Sequence, residues 1–87
     1  MIKKIVTVIN KKGLHARPSA LLVKTALSFT SEIRLKNSNA DANAKSVLDV
    51  MLLCAHHGTT LELSVDGEDE EVAAIAIEEV FTKIYED

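Results

Sequence analysis

The chain has 87 residues, of which 47% are hydrophobic and 26% charged, and its formal net charge is −3. This length predicts one small domain over 1–87, and the balance of apolar and charged residues excludes a disordered chain. No apolar run approaches the roughly 20 residues that span a bilayer, and no signal peptide opens the chain, so we expect a cytoplasmic protein without membrane insertion. A single cysteine excludes an internal disulfide.

Charge is distributed unevenly along the chain. Residues 1–36 carry eight Lys and Arg side chains and one acidic side chain, whereas residues 37–87 carry two lysines and twelve acidic side chains. A basic half attracts anions or acidic partner surfaces, although the same pattern also fits an ordinary solvated surface. Net acidity and a shortage of aromatic residues argue against a nucleic-acid partner.

The first half of the chain is predicted to form a strand, a helix and a second strand. β-Branched residues predict the first strand, apolar residues at i, i+3, i+4 and i+7 predict the helix, and strict alternation predicts the second strand. The predicted ranges are 2–9, 16–27 and 32–36. The residues predicted to face the core are Ser19, Leu22, Val23, Ala26, Ile33 and Leu35. A polar loop over 10–13, closed by a glycine, precedes the helix.

The second half is predicted to contain two strands and two helices. The predicted strands cover 40–44 and 59–65. Ser46 and Asp49 fit a capping pattern at the start of one helix, and Gly58 is predicted to end it. The acidic run 66–71 precedes the last helix, whose dipole favours negative charge there. The residues predicted to face the core are Val50, Leu53 and Cys54, then Leu61, Leu63 and Val65, and in the last helix Ala73, Ala76, Ile77, Val80 and Ile84.

The order strand-helix-strand-strand-helix-strand-helix predicts an α+β fold. Because each alternating strand has one apolar face, we expect an open-faced two-layer sandwich in which helices cover one side of a sheet. The order of the strands within the sheet is not encoded in this pattern. An acyl carrier protein, which is also small and acidic with a serine opening a helix, would instead require an all-helical bundle.

Residues 13–19, Gly-Leu-His-Ala-Arg-Pro-Ser, place a histidine and an arginine at the start of the first helix. A helix N-terminus offers backbone N–H groups and a partial positive charge to an anion, and that charge favours the neutral, nucleophilic imidazole of His15. Arg17 can reach the oxygens of a transferred phosphoryl group, and the backbone N–H groups of Ala16 and Arg17 can bond them. The pattern predicts phosphoryl transfer through His15, with simple helix capping as the alternative.

The stretch 13–18 closely resembles the active-site signature of the HPr family, the histidine-containing phosphocarrier proteins of the phosphoenolpyruvate-dependent sugar phosphotransferase system. Further similar stretches are 29–33, 44–46, 58–59 and 67–70. The resemblance implies a four-stranded antiparallel sheet with three helices, phosphorylation of His15 through Nδ1, and an Arg17 that neutralises phosphate.

The resemblance also implies partners. Enzyme I would be the phosphoryl donor, itself phosphorylated on histidine, and enzyme IIA domains would be the acceptors. It implies no cofactor and no metal, and we expect a monomer that acts as a carrier rather than as a stand-alone turnover enzyme. A relative in a nitrogen-related regulatory phosphotransfer chain would use the same chemistry at His15, so that alternative stays open.

Ser46 matches the serine that HPr kinase/phosphorylase modifies in some family members, and it also suits a helix N-cap. A phosphate there would add about two negative charges beside the surface that docks partners. Exposed apolar residues on the first two helices predict that surface. The predicted interface residues are Ala16, Arg17, Ala20, Lys24, Leu27, Ser46, Val47, Leu48 and Met51. Asp49 and Leu27 stand where the family often carries other residues, basic ones among them, and they reduce the positive charge expected there.

Cys54 and His57 are three positions apart and could share a helix face. No further ligand stands at the spacing of a zinc site, so the sequence predicts no metal centre. Imidazoles near a helix C-terminus are favourable without a metal.

Overall fold

The computed structural model describes residues 1–83. Four strands and three helices follow in chain order: β1 Ile2–Thr7, α1 Ala16–Ala26, β2 Glu32–Lys36, β3 Asp41–Asn43, α2 Val47–Leu52, β4 Thr60–Asp66 and α3 Glu70–Lys83. The strands form one sheet in the order β1-β4-β2-β3, and every neighbouring pair is antiparallel. The predicted α+β open-faced sandwich is confirmed, and the sheet excludes the all-helical bundle of an acyl carrier protein.

The buried face of the sheet is built by the alternation that the sequence shows. Ile33 lies opposite Val65 and Leu35 lies opposite Leu63 in the pairing of β2 with β4. All four side chains are fully buried. Because directly opposed residues of antiparallel strands share one face, these pairs form the middle of the core. Full burial of one such side chain contributes about 1.5–3 kcal/mol.

Helix α1 buries the predicted stripe. Its buried residues include Ser19, Leu22, Val23 and Ala26, as the spacing requires. Pro18 lies in the first turn, where a missing N–H group costs no intrahelical bond. Leu27 is the C-cap, and its N–H group bonds the carbonyl oxygen of Val23 at 2.9 Å.

Helix α2 is shorter than predicted. It ends at Leu52 rather than near Gly58, with Leu53 as its C-cap. Cys54 follows with a φ of 50°. This left-handed conformation ends the helix, and it is unfavourable for a residue that carries a side chain. Cys54 is exposed, so the prediction that it faces the core beside Val50 was wrong. Val50 and Leu53 are buried as predicted.

Side chains from another part of the chain terminate α2. The Nδ2 atoms of Asn37 and Asn39 lie 2.9 and 3.3 Å from the carbonyl oxygen of Leu53. These donors replace the N–H group that a continuing helix would supply to that carbonyl. Gly58, with a φ of 86°, lies in the turn that leads into β4, and its N–H group bonds the carbonyl oxygen of Val8 at 2.7 Å.

Helix α3 packs against α1 as well as against β1 and β4. Its buried residues are Ala73, Ala74, Ile77, Val80 and Phe81. Ala76, predicted to be buried, is half-buried, because the two-sided packing rotates the buried stripe toward Ala74 and Phe81. Ile84 lies outside the described residues. α3 is 14 residues long, and none of the helices within residues 1–83 has the length and apolar character to cross a bilayer.

Candidate functional site

His15 is the N-cap residue of α1. Its backbone is extended, with φ −86° and ψ −169°, and the residue is half-buried. The intrahelical bonds begin where the N–H group of Ser19 meets the carbonyl oxygen of His15 at 3.0 Å. The N–H groups of Ala16 and Arg17 precede this first bond, and both residues are exposed. The predicted histidine, arginine and first-turn backbone are therefore together at one helix end.

Gly13 lets the loop before His15 approach the segment after α2. Its φ is +73°, and a Cβ added there would lie 2.5 Å from the carbonyl oxygen of Ala55. The next residue, Leu14, is buried, and its N–H group bonds that same oxygen at 2.9 Å. A side chain at position 13 would therefore push the loop away from Ala55 and move His15 with it.

Two buried polar side chains hold the same loop. Asn10 donates through Nδ2 to the carbonyl oxygen of Gly13, and the Gly13 N–H group donates to the Asn10 carbonyl oxygen at 3.1 Å. Ser19 donates through Oγ to the carbonyl oxygen of Leu14 at 3.3 Å. The sequence-based prediction treated Asn10 only as part of a polar loop. An asparagine three residues before a glycine fits positions i and i+3 of a type I turn, and that signal could have identified the turn that Asn10 opens.

Basic side chains lie near His15, and an acidic group lies at the other end of α1. The exposed basic residues near His15 are Lys11 and Lys12 on the preceding loop and Arg17 in the first turn of α1, whereas Lys24 lies in the last turn of α1. Beyond the C-terminal end of α1, the Asp69 carboxylate accepts bonds from the Ser31 hydroxyl group and from the N–H groups of Thr30 and Ser31. The hydroxyl bond, followed by the Thr30 N–H bond, lowers the pKa of Asp69 to about 2.

Ser46 is the N-cap of α2 and is half-buried. Its Oγ atom accepts the N–H group of Asp49 at 3.3 Å. The Asp49 carboxylate bonds the N–H group of Asn43 at 3.2 Å. Asp49 therefore ties the end of β3 to the first turn of α2.

The predicted interface residues lie on the neighbouring helices α1 and α2. Those that are exposed are Ala16, Arg17, Ala20, Lys24, Leu27, Val47, Leu48 and Met51, and Ser46 is half-buried. Leu48 and Leu27 are the most open of the apolar residues among them, with 71% and 63% of their surfaces exposed. Leu21 and Leu52 are exposed on the same two helices and enlarge the apolar surface.

Cys54 and His57 lie outside α2, so the i, i+3 spacing considered for a metal site does not apply to them. Because α2 ends at Leu52, Cys54 and His57 do not share a helix face. Within residues 1–83, no three His, Cys, Asp or Glu side chains are grouped so that they could hold a metal ion.

Known proteins resemble this chain along almost its whole length. The family model described as PTS HPr component phosphorylation site matches residues 2–83. A phosphocarrier protein HPr of Treponema pallidum is 45% identical over 87 residues, which cover 100% of this chain and 99% of that protein. The solved structure of HPr-C-His from Thermoanaerobacter tengcongensis has a TM-score of 0.92 at 38% identity, covering 100% of this chain and 98% of that one. An HPr dimer from the same organism has a TM-score of 0.77 at 39% identity, covering 98% of both chains.

Proposed function

The chain belongs to the HPr family of phosphocarrier proteins of the phosphotransferase system, and from this premise we propose that His15 accepts the phosphoryl group and passes it on. The observation that carries the proposal is the position of His15 as N-cap of α1. A phosphoryl group on its ring would lie beside the first-turn N–H groups, where the helix dipole favours negative charge. Half-burial orders the residue while leaving part of it accessible to a partner.

The proposed reaction is a displacement at phosphorus. The electron pair of His15 Nδ1 forms a bond to the phosphorus atom of phosphohistidine on Enzyme I, and the bond from phosphorus to the donor nitrogen breaks. The donor imidazole leaves with that electron pair. The Arg17 guanidinium group and the N–H groups of Ala16 and Arg17 stabilise the charge on the phosphoryl oxygens. Attack by a nucleophile of an enzyme IIA domain then breaks the new bond and regenerates His15.

We propose that partners dock on the exposed surface of α1 and α2. The residues of this docking face are Ala16, Arg17, Ala20, Lys24, Leu27, Ser46, Val47, Leu48 and Met51. Exposed apolar side chains on two helices that contact each other, one of which begins at His15, fit a protein partner that supplies the rest of the site. HPr kinase/phosphorylase is the proposed enzyme for Ser46, which lies within this face. We place this single domain in the cytoplasm as a monomer.

Replacing each histidine by alanine tests the assignment. Enzyme I and labelled phosphoenolpyruvate should label the wild-type protein with an acid-labile, base-stable phosphate, and His15→Ala should lose more than 99% of that label because the nucleophile is gone. His56→Ala and His57→Ala are matched controls, since both residues are exposed on the loop after α2. Both controls should be labelled at the wild-type rate, and circular dichroism should show that all three variants are folded.

Labelling of His15→Ala at the full rate would contradict the proposal. The same assay distinguishes the two branches of phosphotransfer. Labelling by a sugar-branch Enzyme I in preference to a nitrogen-branch first enzyme is the expected result. The opposite preference would leave the chemistry at His15 unchanged and would assign the protein to the nitrogen-related regulatory phosphotransfer chain.

A further inference from the structure

Buried polar side chains are few in the described residues and are not evenly placed. Those with an exposed fraction of 1% or less are Asn10, Ser19 and Ser31. Asn10 and Ser19 donate to the carbonyl groups of the two residues that immediately precede His15. Ser31 donates to Asp69, beyond the opposite end of α1. Two of the three therefore hold the loop that presents the reactive histidine.

The carbonyl oxygen of Gly13 connects Asn10 to His15. It accepts the Asn10 Nδ2 donor and also the backbone N–H group of His15, which lies 3.0 Å away. The N–H group of Gly13 returns a bond to the main chain of Asn10 at 3.1 Å. Asn10 therefore closes the turn through both its backbone and its side chain. Asn10 and His15 both bond the Gly13 carbonyl group, so the orientation of that peptide group links the two residues.

The contribution of Asn10 to the free energy of unfolding is limited by one of its two side-chain polar atoms. Its residue is fully buried, and its Oδ1 atom has no hydrogen-bond partner within the described part of the chain. Burying an unsatisfied acceptor costs folding free energy, and a small apolar side chain would avoid that cost. What the carboxamide adds is the bond to Gly13, which fixes the geometry of the loop.

We propose that Asn10 is a positioning residue for phosphoryl transfer, which holds the Gly13 peptide group and thereby the His15 ring in line with the incoming phosphorus atom. The inference rests on the proposed role of His15. In-line transfer is sensitive to displacements of about 1 Å, so a loosened loop slows the transfer step. Because Asn10 is fully buried, we expect it not to contact a docked partner, and its loss should leave the KM for the partner unchanged.

The test is the steady-state phosphorylation of Asn10→Ala by Enzyme I. The expected result is a kcat lowered roughly tenfold with a KM within about twofold of the wild-type value. Ser31→Ala is the matched control, because it also removes a buried side-chain hydrogen bond but at the opposite end of α1. It should lose stability in urea unfolding and keep the wild-type kcat.

Three results would overturn the inference. These are a kcat of folded Asn10→Ala within twofold of the wild type, a KM that rises while kcat stays constant, or an equal fall of kcat in Ser31→Ala. If Asn10→Ala does not fold, the wild-type protein supplies a second test. Nuclear magnetic resonance should detect a scalar coupling across the hydrogen bond between Asn10 Nδ2 and the Gly13 carbonyl carbon, and its absence also overturns the inference.

The outcome is separable from that of the proposed function. Full-rate transfer by Asn10→Ala, together with loss of labelling in His15→Ala, removes only the role of Asn10. Labelling that persists in His15→Ala removes both.

Discussion

Two residues near His15 have a left-handed backbone, Gly13 in the loop before α1 and Cys54 just after α2. Gly13 has a φ of +73° and no room for a side chain beside Ala55. Cys54 has a φ of 50° although it carries a side chain, and the amide groups of Asn37 and Asn39 hold the preceding carbonyl in place. The first position is legible in the sequence, because glycine before a helix is a turn signal. The second is not, because it depends on residues 15 and 17 positions earlier.

Asp69 is the residue whose charge should set the acid sensitivity of the fold. Its folded pKa of about 2 is below the ordinary value of 3.8. The stabilisation it gives is therefore complete above about pH 5 and is lost as the pH falls from about 4 through about 2. We expect Asp69→Asn to be less stable than the wild type at pH 7 and to lose less stability on acidification, as measured by urea unfolding between pH 7 and pH 2.

The matched control for Asp69 is Asp66→Asn, which removes an exposed carboxylate at the end of β4 without touching the contact to Thr30 and Ser31. It should retain the acid dependence of the wild type. Equal acid dependence of Asp69→Asn and the wild type would mean that the bonds from Thr30 and Ser31 do not stabilise the fold.

The helices and strands could be predicted mainly from the local periodicity of apolar residues. Strands β2 and β4 were predictable because Ile33, Leu35 and the facing residues of β4 alternate strictly with polar positions. Helix α2 was predicted too long because its six residues are almost all apolar, so periodicity cannot show where the helix stops. The burial of Asn10 was also unpredictable, since it depends on tertiary contacts of the loop such as the bond from the Leu14 N–H group to the Ala55 carbonyl oxygen.

Helix α2 also determines what a charge at Ser46 would do. Ser46 Oγ accepts the Asp49 N–H group, a bond that a carboxylate or phosphate can also accept at a helix start. We therefore expect Ser46→Asp to remain folded, and its negative charge on the docking face should raise the KM for Enzyme I roughly tenfold. Circular dichroism and the labelling assay measure the two effects.

The control for Ser46 is Ser38→Asp, which adds the same charge on the exposed turn between β2 and β3. Its KM should stay within twofold of the wild type, and equal KM values for the two variants would contradict a regulatory position for Ser46. Incubation with HPr kinase and ATP should add one phosphate, located on Ser46 by mass spectrometry. Absence of that phosphate would contradict the proposed modification.

The uneven charge of the sequence gives the protein a basic region near His15 and an acidic region beyond the C-terminal end of α1. Exposed Lys11, Lys12 and Arg17 lie on the loop before His15 and in the first turn of α1, whereas Lys24 lies in its last turn. The acidic run that opens α3 lies beyond the C-terminal end of α1, where Asp69 bonds Thr30 and Ser31. An 11-residue helix is about 16 Å long, so the basic residues at its start are separated from the acidic run by more than one Debye length at physiological salt.

This separation predicts how salt should affect association with Enzyme I. Raising sodium chloride from about 0.05 M to about 0.5 M should lower the association rate constant roughly tenfold, because a basic surface is attracted to an acidic partner over long range. Lys12→Ala, on the loop before His15, should reduce that dependence, whereas Glu68→Gln at the acidic end should not. Stopped-flow kinetics measures the rates, and light scattering in the same buffers should record the mass of a monomer. Equal salt dependence of Lys12→Ala and the wild type would show that the basic end does not guide docking. A dimer mass would correct the predicted monomer.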